Sequence, residues 1–311
     1  LSDTPIDYPS ALALGYLPIR EVARSTGVNP VTLRAWERRY GLVVPFRTPK
    51  GHRLFAPEQV QRIQQVLTWL NRGVAVGQVR ELLEQSTLPE TIGDGVWDEL
   101  RQAMLHSVAR QAERSLDEAF KRAQSLYPPQ VLCRQLLLPL LAELDRRWRD
   151  LPFGAQLEQV FFHSWLRSKL GTRLHHDNRQ FNGAPLLLAS QSGLCLEPGL
   201  WLCAWLVNSA GCPAQVLDWA VPTSELMQAV DHIAPRALVL YSSQALSAPA
   251  RHQLPRLVEA CGVPLLLAGH AATIHHDELH SLDGLHLAAD PLLAEQGLRE
   301  LGLLEDSPCA S

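Results

Sequence analysis

Apolar positions in this chain change their spacing twice, and the changes divide it into three stretches. In the first, Val22 and Ala23 face inward from a short helix over residues 19–25, which Gly27 stops. Asn29 is a good N-cap, and Pro30 follows at the first helical position, where its missing N–H costs nothing. The spacing then predicts a second helix over residues 30–40. Val31, Leu33 and Trp36 are expected to pack on the first helix, leaving Thr32, Arg34, Glu37, Arg38 and Arg39 outward or sideways. Residues 43–55 set Pro45, Pro49 and Gly51 between short β-prone runs, which predicts a two-stranded wing with its tip at 48–51. A helix over 56–72 and a shorter one over 76–84 follow. The pattern is a helix-turn-helix with a wing.

A stretch with Ser, Thr, Pro, Gly and Asp, residues 86–94, reads as a linker. Beyond it the apolar spacing stays helical, with breaks at Pro128-Pro129 and at 151–154. Four helices are expected, over 96–107, 110–126, 129–149 and 154–174. Leu136, Leu137, Leu140, Leu141 and Leu144 give the third a wide buried stripe, as in a helical bundle. After Asn178 short apolar runs at 185–189, 214–218, 237–241, 263–267 and 285–287 alternate with helical stretches at 198–210, 223–233 and 248–260 and with a last helix near 301. That alternation predicts a parallel sheet covered on both faces, a Rossmann-like domain. Ligands of such sheets bind beyond the carboxyl ends of the strands, here the loops 190–197, 242–248 and 268–274. The expected fold class is therefore α plus α/β: a DNA-binding-type head over 16–85, a four-helix bundle over 95–177 and a Rossmann-like domain over 183–303.

Charge sharpens this division. Residues 16–72 hold 10 Lys or Arg against 3 Asp or Glu, leaving 18 against 29 for the rest of the chain. The net charge of −4 thus hides a basic head on an acidic body, as expected of a phosphate-binding module on a soluble carrier. The longest apolar run, 199–207, is too short to cross a bilayer, and no secretory signal shows at the start. The six Cys, at 133, 195, 203, 212, 261 and 309, include no C-x-x-C pair and read as reduced thiols. A cytoplasmic protein with no membrane partner is the expectation.

No Gly-rich phosphate loop, nucleophile elbow or zinc-protease motif appears, so the sequence carries no positive sign of an enzyme. His175-His176 and the dense set His270, His275, His276, His280 and His286 invite a metal reading. A metal site needs three or four convergent ligands with a supporting shell. A solvated, His-rich surface helix is the reading preferred here.

The run from Thr32 to Leu42 and the wing end Gly51-His52-Arg53-Leu54-Phe55 closely resemble the signature of the MerR family of bacterial transcription regulators. The resemblance covers residues 16–85. It implies that Thr32, Arg34, Arg38 and Tyr40 approach DNA from the recognition helix, and Arg39 is counted with them. It also implies that Arg47, Lys50, His52 and Arg53 grip phosphates from the wing. The order of head, bundle and Rossmann-like domain further resembles MerR-type regulators that carry a cobalamin-binding module. Some of these are light-sensing repressors (the CarH-like architecture), whereas the MlrA-like regulators keep the architecture without the cofactor.

In the cofactor-binding members a Trp, nine residues and then Glu-His lie in the bundle. Here Trp148 is followed at that spacing by Glu158-Gln159, so Gln replaces His. The resemblance implies that Trp148 would cover the upper axial ligand and Glu158 would contact the adenosyl group. The lower cobalt ligand is a His in the loop after the first strand, and Leu196 stands in its place. Ser242-Ser243 keeps the element that receives the nucleotide tail, but Ala268-Gly269 replaces a Gly pair. These departures lead to the expectation of no cofactor. The alternative is a cobalamin-dependent photosensor with variant ligation. The expected partners are promoter DNA and a second copy of the chain, with RNA polymerase as a further contact. The dimer would draw on the helix after the wing or on Trp165, Trp201, Trp205 and Trp219 of the body. Repressor and activator both remain open.

Overall fold

A computed structural model describes residues 8–48, 50–84, 94–151 and 153–304. The expected linker at 86–94 falls almost wholly outside these, as do Pro49 of the wing tip and Cys309. The chain divides into two compact units, one holding the described residues to Ala155 and the other those from Gln156.

The first unit begins with a short helix, α1 (Tyr8–Ala13), then β1 (Leu17–Pro18) and α2 (Ile19–Thr26). Helix α3 (Pro30–Ala35) continues into a wider, π-helical turn, Trp36–Tyr40. Strands β2 (Phe46–Arg47) and β3 (Arg53–Phe55) form the wing, and helices α4 (Pro57–Asn71) and α5 (Val76–Glu84) complete the head. The wing has three strands rather than two. β1 pairs antiparallel with β3 through Leu17 and Phe55, while β2 pairs with β3 on its other side. The spacing of residues 43–55 had no means of showing a partner strand outside itself.

Helices α6 (Asp94–Ala109), α7 (Glu113–Gln124), α8 (Pro129–Leu132) and α9 (Leu138–Asp150) finish the first unit. The long helix expected over 129–149 is present but locally widened between α8 and α9, where Cys133–Leu137 form a π-helical turn. Pro139 lies just beyond it and has no N–H to give the preceding turn, a common cause of such widening. Leu138 donates instead to the Cys133 carbonyl, one residue further back than in an α-helix.

Helix α10 (Ala155–Asn178) was expected to close the bundle of 95–177, yet it starts at the division and belongs to the second unit. Then come β4 (Leu186–Ser190), α11 (Pro198–Ser209), β5 (Ala214–Leu217), α12 (Thr223–Ile233), β6 (Ala237–Tyr241), α13 (Ala248–Ala260) and β7 (Leu265–Ala268). Two short helices, α14 (His270–Ile274) and α15 (His276–Leu279), precede β8 (Leu285–Ala288) and α16 (Pro291–Glu300). All five strands are parallel, in the order β5-β4-β6-β7-β8.

The sheet is Rossmann-like, as the alternation predicts. Every residue of β4, β6 and β7 is buried, because helices cover both faces. Leu187, Leu238, Leu240, Leu265 and Leu267 share one core with Leu226 and Val230 of α12 and Leu254 and Leu257 of α13. The strand order reverses between β4 and β6. The connections leaving their carboxyl ends therefore run to opposite sides, and the place between them is where such sheets take ligands. No helix among the described residues is long and apolar enough to cross a membrane.

Candidate functional site

The turn between α2 and α3 is built as its punctuation suggests. Gly27 adopts a left-handed conformation at φ 69° and ends α2. The Asn29 side chain accepts from the Thr32 N–H at 2.9 Å, and Pro30 opens α3. At the far end Gly41, at φ 59°, donates its N–H to the Trp36 carbonyl, which also accepts from Leu42 at 3.1 Å. Two loop contacts then fix the chain leaving α3. Arg62 of α4 donates to the Leu42 carbonyl at 2.6 Å, and Gln59 accepts from the Val44 N–H at 2.8 Å.

The buried face of α3 differs from the expected one by a small rotation. Thr32 is 0% exposed, whereas Val31, expected to pack inward, is 59% exposed. Leu33 and Trp36 are the large side chains that define the inner face, and Thr32 lies one turn before Trp36 on that face. The assignment of Thr32 to the DNA face is therefore corrected: in this fold it cannot reach a groove. Its buried hydroxyl has no hydrogen-bond partner among the described residues. Arg34, Arg38 and Arg39 are exposed, and Tyr40 is half-buried against Gly77 of α5. These three arginines make no ion pair among the described residues, so their charge is left open to solvent.

The wing arginines are placed differently. Arg53 Nε donates to Glu37 Oε2 at 2.6 Å, and Arg47 donates to the other Glu37 oxygen at 2.5 Å. Burial of Glu37 would raise its pKa, but the hydrogen bonds and charges of Arg53 and Arg47 together outweigh it and hold the carboxyl below the ordinary carboxylate value. Lys50 and His52 are exposed at the wing tip. The turn there is closed by Gly51, at φ 81°, whose N–H donates to the Thr48 carbonyl at 2.8 Å. Tyr8 of α1 meets the His52 ring edge-on at 5.6 Å, a neighbour that lies outside the winged pattern.

The head is also tied to the helices that follow it within the first unit. Trp36 Nε1 donates to the Leu126 carbonyl at 2.9 Å, across 90 residues of sequence. Trp97 Nε1 donates to the Gly73 carbonyl at 2.7 Å, and Gln135 donates to the Asn71 carbonyl at 2.9 Å. The Tyr127 hydroxyl accepts from the Val76 N–H at 3.4 Å, and its ring lies 4.4 Å from that of Trp97. Each tie joins residues far apart in sequence, so no local pattern could have found it.

In the second unit the strand-end crevice is laced shut by its own loops. Glu197, fully buried, accepts from the Ser243 N–H at 3.2 Å and from its hydroxyl at 3.1 Å. Gln191 N–H reaches the Tyr241 carbonyl at 2.8 Å, and Ser242 is buried with its hydroxyl donating to the Gln244 carbonyl at 2.7 Å. The Tyr241 ring fills the space beside two glycines. A Cβ on Gly199 would stand 1.9 Å from the Tyr241 hydroxyl, and one on Gly269 would stand 2.5 Å from the Ser242 carbonyl and 3.0 Å from the Tyr241 ring. Leu196, half-buried, lies on the same loop as Glu197. Of the bundle residues singled out, Trp148 and Glu158 are buried and Gln159 is half-buried; Trp148 lies in the first unit and the other two in the second.

The His-rich end is two short helices rather than one face. His275 is buried and its Nε2 accepts from the Leu246 N–H at 3.1 Å, a structural role that fixes the position of the ring. His276 and His280 stack at 5.5 Å in solvent. No group of three metal-ligating side chains occurs among the described residues. Trp165, Trp201 and Trp205 are buried within the second unit, which removes them from the expected dimer surface; Trp219 alone of that set is exposed, at 64%.

Residues 17–86 match the model of the MerR HTH family regulatory protein, so the head is a MerR-type DNA-binding domain. Over 127 residues the chain is 40% identical to the HTH-type transcriptional regulator MlrA of Salmonella typhimurium, covering 41% of this chain and 51% of that one. It is 38% identical to MlrA of Escherichia coli over the same share. The chain thus spans about half the length of these curated relatives. The HTH-type transcriptional repressor CarH of Myxococcus xanthus is 27% identical over 276 residues, 83% of this chain and 90% of that one. Among solved structures, the monomethylamine corrinoid protein of Methanosarcina barkeri aligns with 67% of this chain and 99% of its own at a TM-score of 0.49 and 14% identity, a loose likeness.

Proposed function

We propose that this chain is a sequence-specific transcription regulator that reads duplex promoter DNA with α3 and the wing, and that it does so without cobalamin. The observation that carries the reading is the exposed, uncompensated row Arg34, Arg38 and Arg39 on a helix capped and braced as a recognition helix. Such a helix enters the major groove while a basic wing holds flanking phosphate. Lys50 and His52 supply the wing's free contacts. Arg47 and Arg53 reach phosphate only by sharing or leaving Glu37. The reading includes a homodimer, because two-fold operators require two heads at a fixed spacing. It also includes a cytoplasmic location, contact with RNA polymerase at the promoter, and no chemical step of its own. Genome-wide footprinting of bound promoters, followed by gel-shift titration on the sites found, tests it. Binding confined to one class of two-fold site is the expected outcome, and indifference to sequence overturns it. Sedimentation on operator DNA tests the dimer, which a monomer at all micromolar concentrations overturns.

The absence of cobalamin from this reading rests on the strand-end crevice. Imidazole is a strong neutral ligand for cobalt, whereas the Leu196 side chain has no donor atom. The Tyr241 ring, packed against Gly199 and Gly269, occupies space beside the elements that in cobalamin proteins receive the nucleotide tail. The residues present do not fit that group. The second reading, a cobalamin-dependent photosensor, is favoured by the retained spacing of Trp148 and Glu158 and by the extent of the likeness to CarH. An ultraviolet-visible spectrum of the protein mixed with adenosylcobalamin, dark and illuminated, decides between them. Unchanged spectra of the free cofactor support the first reading. A bound, light-sensitive spectrum with a matching change in operator affinity supports the second.

A further inference from the structure

Helices α6 and α7 run side by side and leave a half-open slot of about 200 Å³ between them. Its walls are apolar: Val96, Leu100 and Ala103 from α6, Ala119 and Ala123 from α7. Leu126 and Tyr127, just beyond α7, complete the apolar lining. An engineered apolar cavity of about 150 Å³ holds a benzene molecule. The slot therefore suits a single aromatic ring or a branched aliphatic group.

The two charged groups that line it are Glu99 of α6 and Arg122 of α7. Both residues are solvent-exposed, which places them at the rim, and neither makes an ion pair among the described residues. A ligand with only a carboxylate would meet Arg122 but be repelled by Glu99, and a ligand with only an amine would face the reverse. A molecule carrying both charges beside an apolar body meets all three features.

We propose that this slot binds the zwitterion of an α-amino acid with an apolar side chain, of the size of leucine or phenylalanine. The ammonium sits at Glu99, the carboxylate at Arg122 and the side chain between the helices. Two of the lining residues give the site a route to the head. The Leu126 carbonyl holds the Trp36 indole in the turn that continues α3, and the Tyr127 hydroxyl holds the first N–H of α5. An occupant that shifts Leu126 and Tyr127 alters the support of the recognition helix. This last step rests on the DNA-binding reading, whereas the site itself does not.

Isothermal titration calorimetry of the full chain without DNA tests the site, with L-phenylalanine and L-leucine as probes and benzoate and phenethylamine as single-charge controls. The expected result is a saturable heat for at least one of the amino acids. It weakens by about tenfold in Arg122→Gln and Glu99→Gln, each worth one charge-assisted contact, and it is lost in Ala103→Leu, which fills the slot from an exposed position. Absence of saturable heat at millimolar amino acid overturns the proposal, as does binding that ignores all three substitutions. Benzoate or phenethylamine binding as tightly as the amino acids overturns the zwitterion assignment. A gel-shift titration in saturating amino acid then reads the coupling. A several-fold change in operator affinity, absent in Ala103→Leu, supports it, and heat without any change overturns it. Failure to bind any promoter site both with and without amino acid would instead count against the regulator reading alone.

Discussion

Arg53 Nε and Glu37 Oε2 lie 2.6 Å apart and fasten the wing to the recognition helix. Arg47 holds the other oxygen, so one carboxylate in the turn that continues α3 ties down both β2 and β3. The same carboxylate competes with DNA phosphate for the two guanidiniums. Glu37 thus belongs to the shape of the interface and limits how strongly the wing can grip.

Glu37→Gln removes the charge of this clasp while keeping its shape. Hydrogen bonds to charged groups contribute about 1.5–3 kcal/mol each when sheltered and less when exposed; a loss of about 1–2 kcal/mol at pH 7 is expected. The folded carboxyl titrates below its ordinary value of 4.5. Its contribution is therefore full above that value and is lost as pH falls through the folded pKa. Urea unfolding of wild type and variant should show the gap at pH 7 and its near disappearance at strongly acidic pH. A gap that widens on acidification would contradict the assignment.

Replacing Arg34 or Arg38 with Ala should cost about 1–3 kcal/mol of operator binding and relax sequence preference if the side chain reads a base. Lys50→Ala should weaken all sequences alike and lower the slope of log affinity against log salt by about one. Fluorescence anisotropy over a salt series measures both. If all three variants bind the operator like wild type, the DNA face is misplaced.

Thr32→Val tests the corrected face of α3. The Thr32 hydroxyl is buried without a hydrogen-bond partner among the described residues, and such a group costs about 1–3 kcal/mol. Valine has nearly the same shape and no such cost. Stability should stay level or rise, and operator affinity should not change. A selective loss of DNA binding would restore Thr32 to the interface.

Trp36→Phe removes the indole N–H that spans to the Leu126 carbonyl. The lost packing volume and the orphaned carbonyl together should cost about 2–4 kcal/mol. Thermal unfolding should show it in the transition that includes α6 and α7, because head and helices form one unit. Destabilisation of the head alone, with the helices melting as in wild type, would show that the tie carries no load.

Gly199→Ala places a methyl into the Tyr241 hydroxyl and should destabilise the second unit by about 1–3 kcal/mol, the usual cost of overpacking. Tyr241→Leu alone leaves a void, yet combined with Gly199→Ala it should recover part of the loss, since contacting residues are not additive. Additive losses in the double variant would mean that the two side chains do not compete for that space.

Local chemistry made much of this protein legible in its sequence. Gly27, Asn29-Pro30 and Gly41 specify φ values and caps that act within a few residues, so the turn and both ends of α3 follow from them. The parallel sheet follows from fully apolar runs between amphipathic ones, since only strands covered on both faces can bury every position. What periodicity cannot fix is the rotation of a helix to better than about one position, and that margin put Val31 inside and Thr32 outside. Nor does it carry pairings between distant segments. β1 joining β3, Glu37 drawing Arg47 and Arg53 inward, Trp36 reaching Leu126 and the Tyr241 ring closing on Gly199 all depend on which surfaces meet after folding. Each is set by packing among residues tens of positions apart. Only the tertiary structure therefore decided which arginines Glu37 holds, how the head is held, and what fills the crevice at the strand ends.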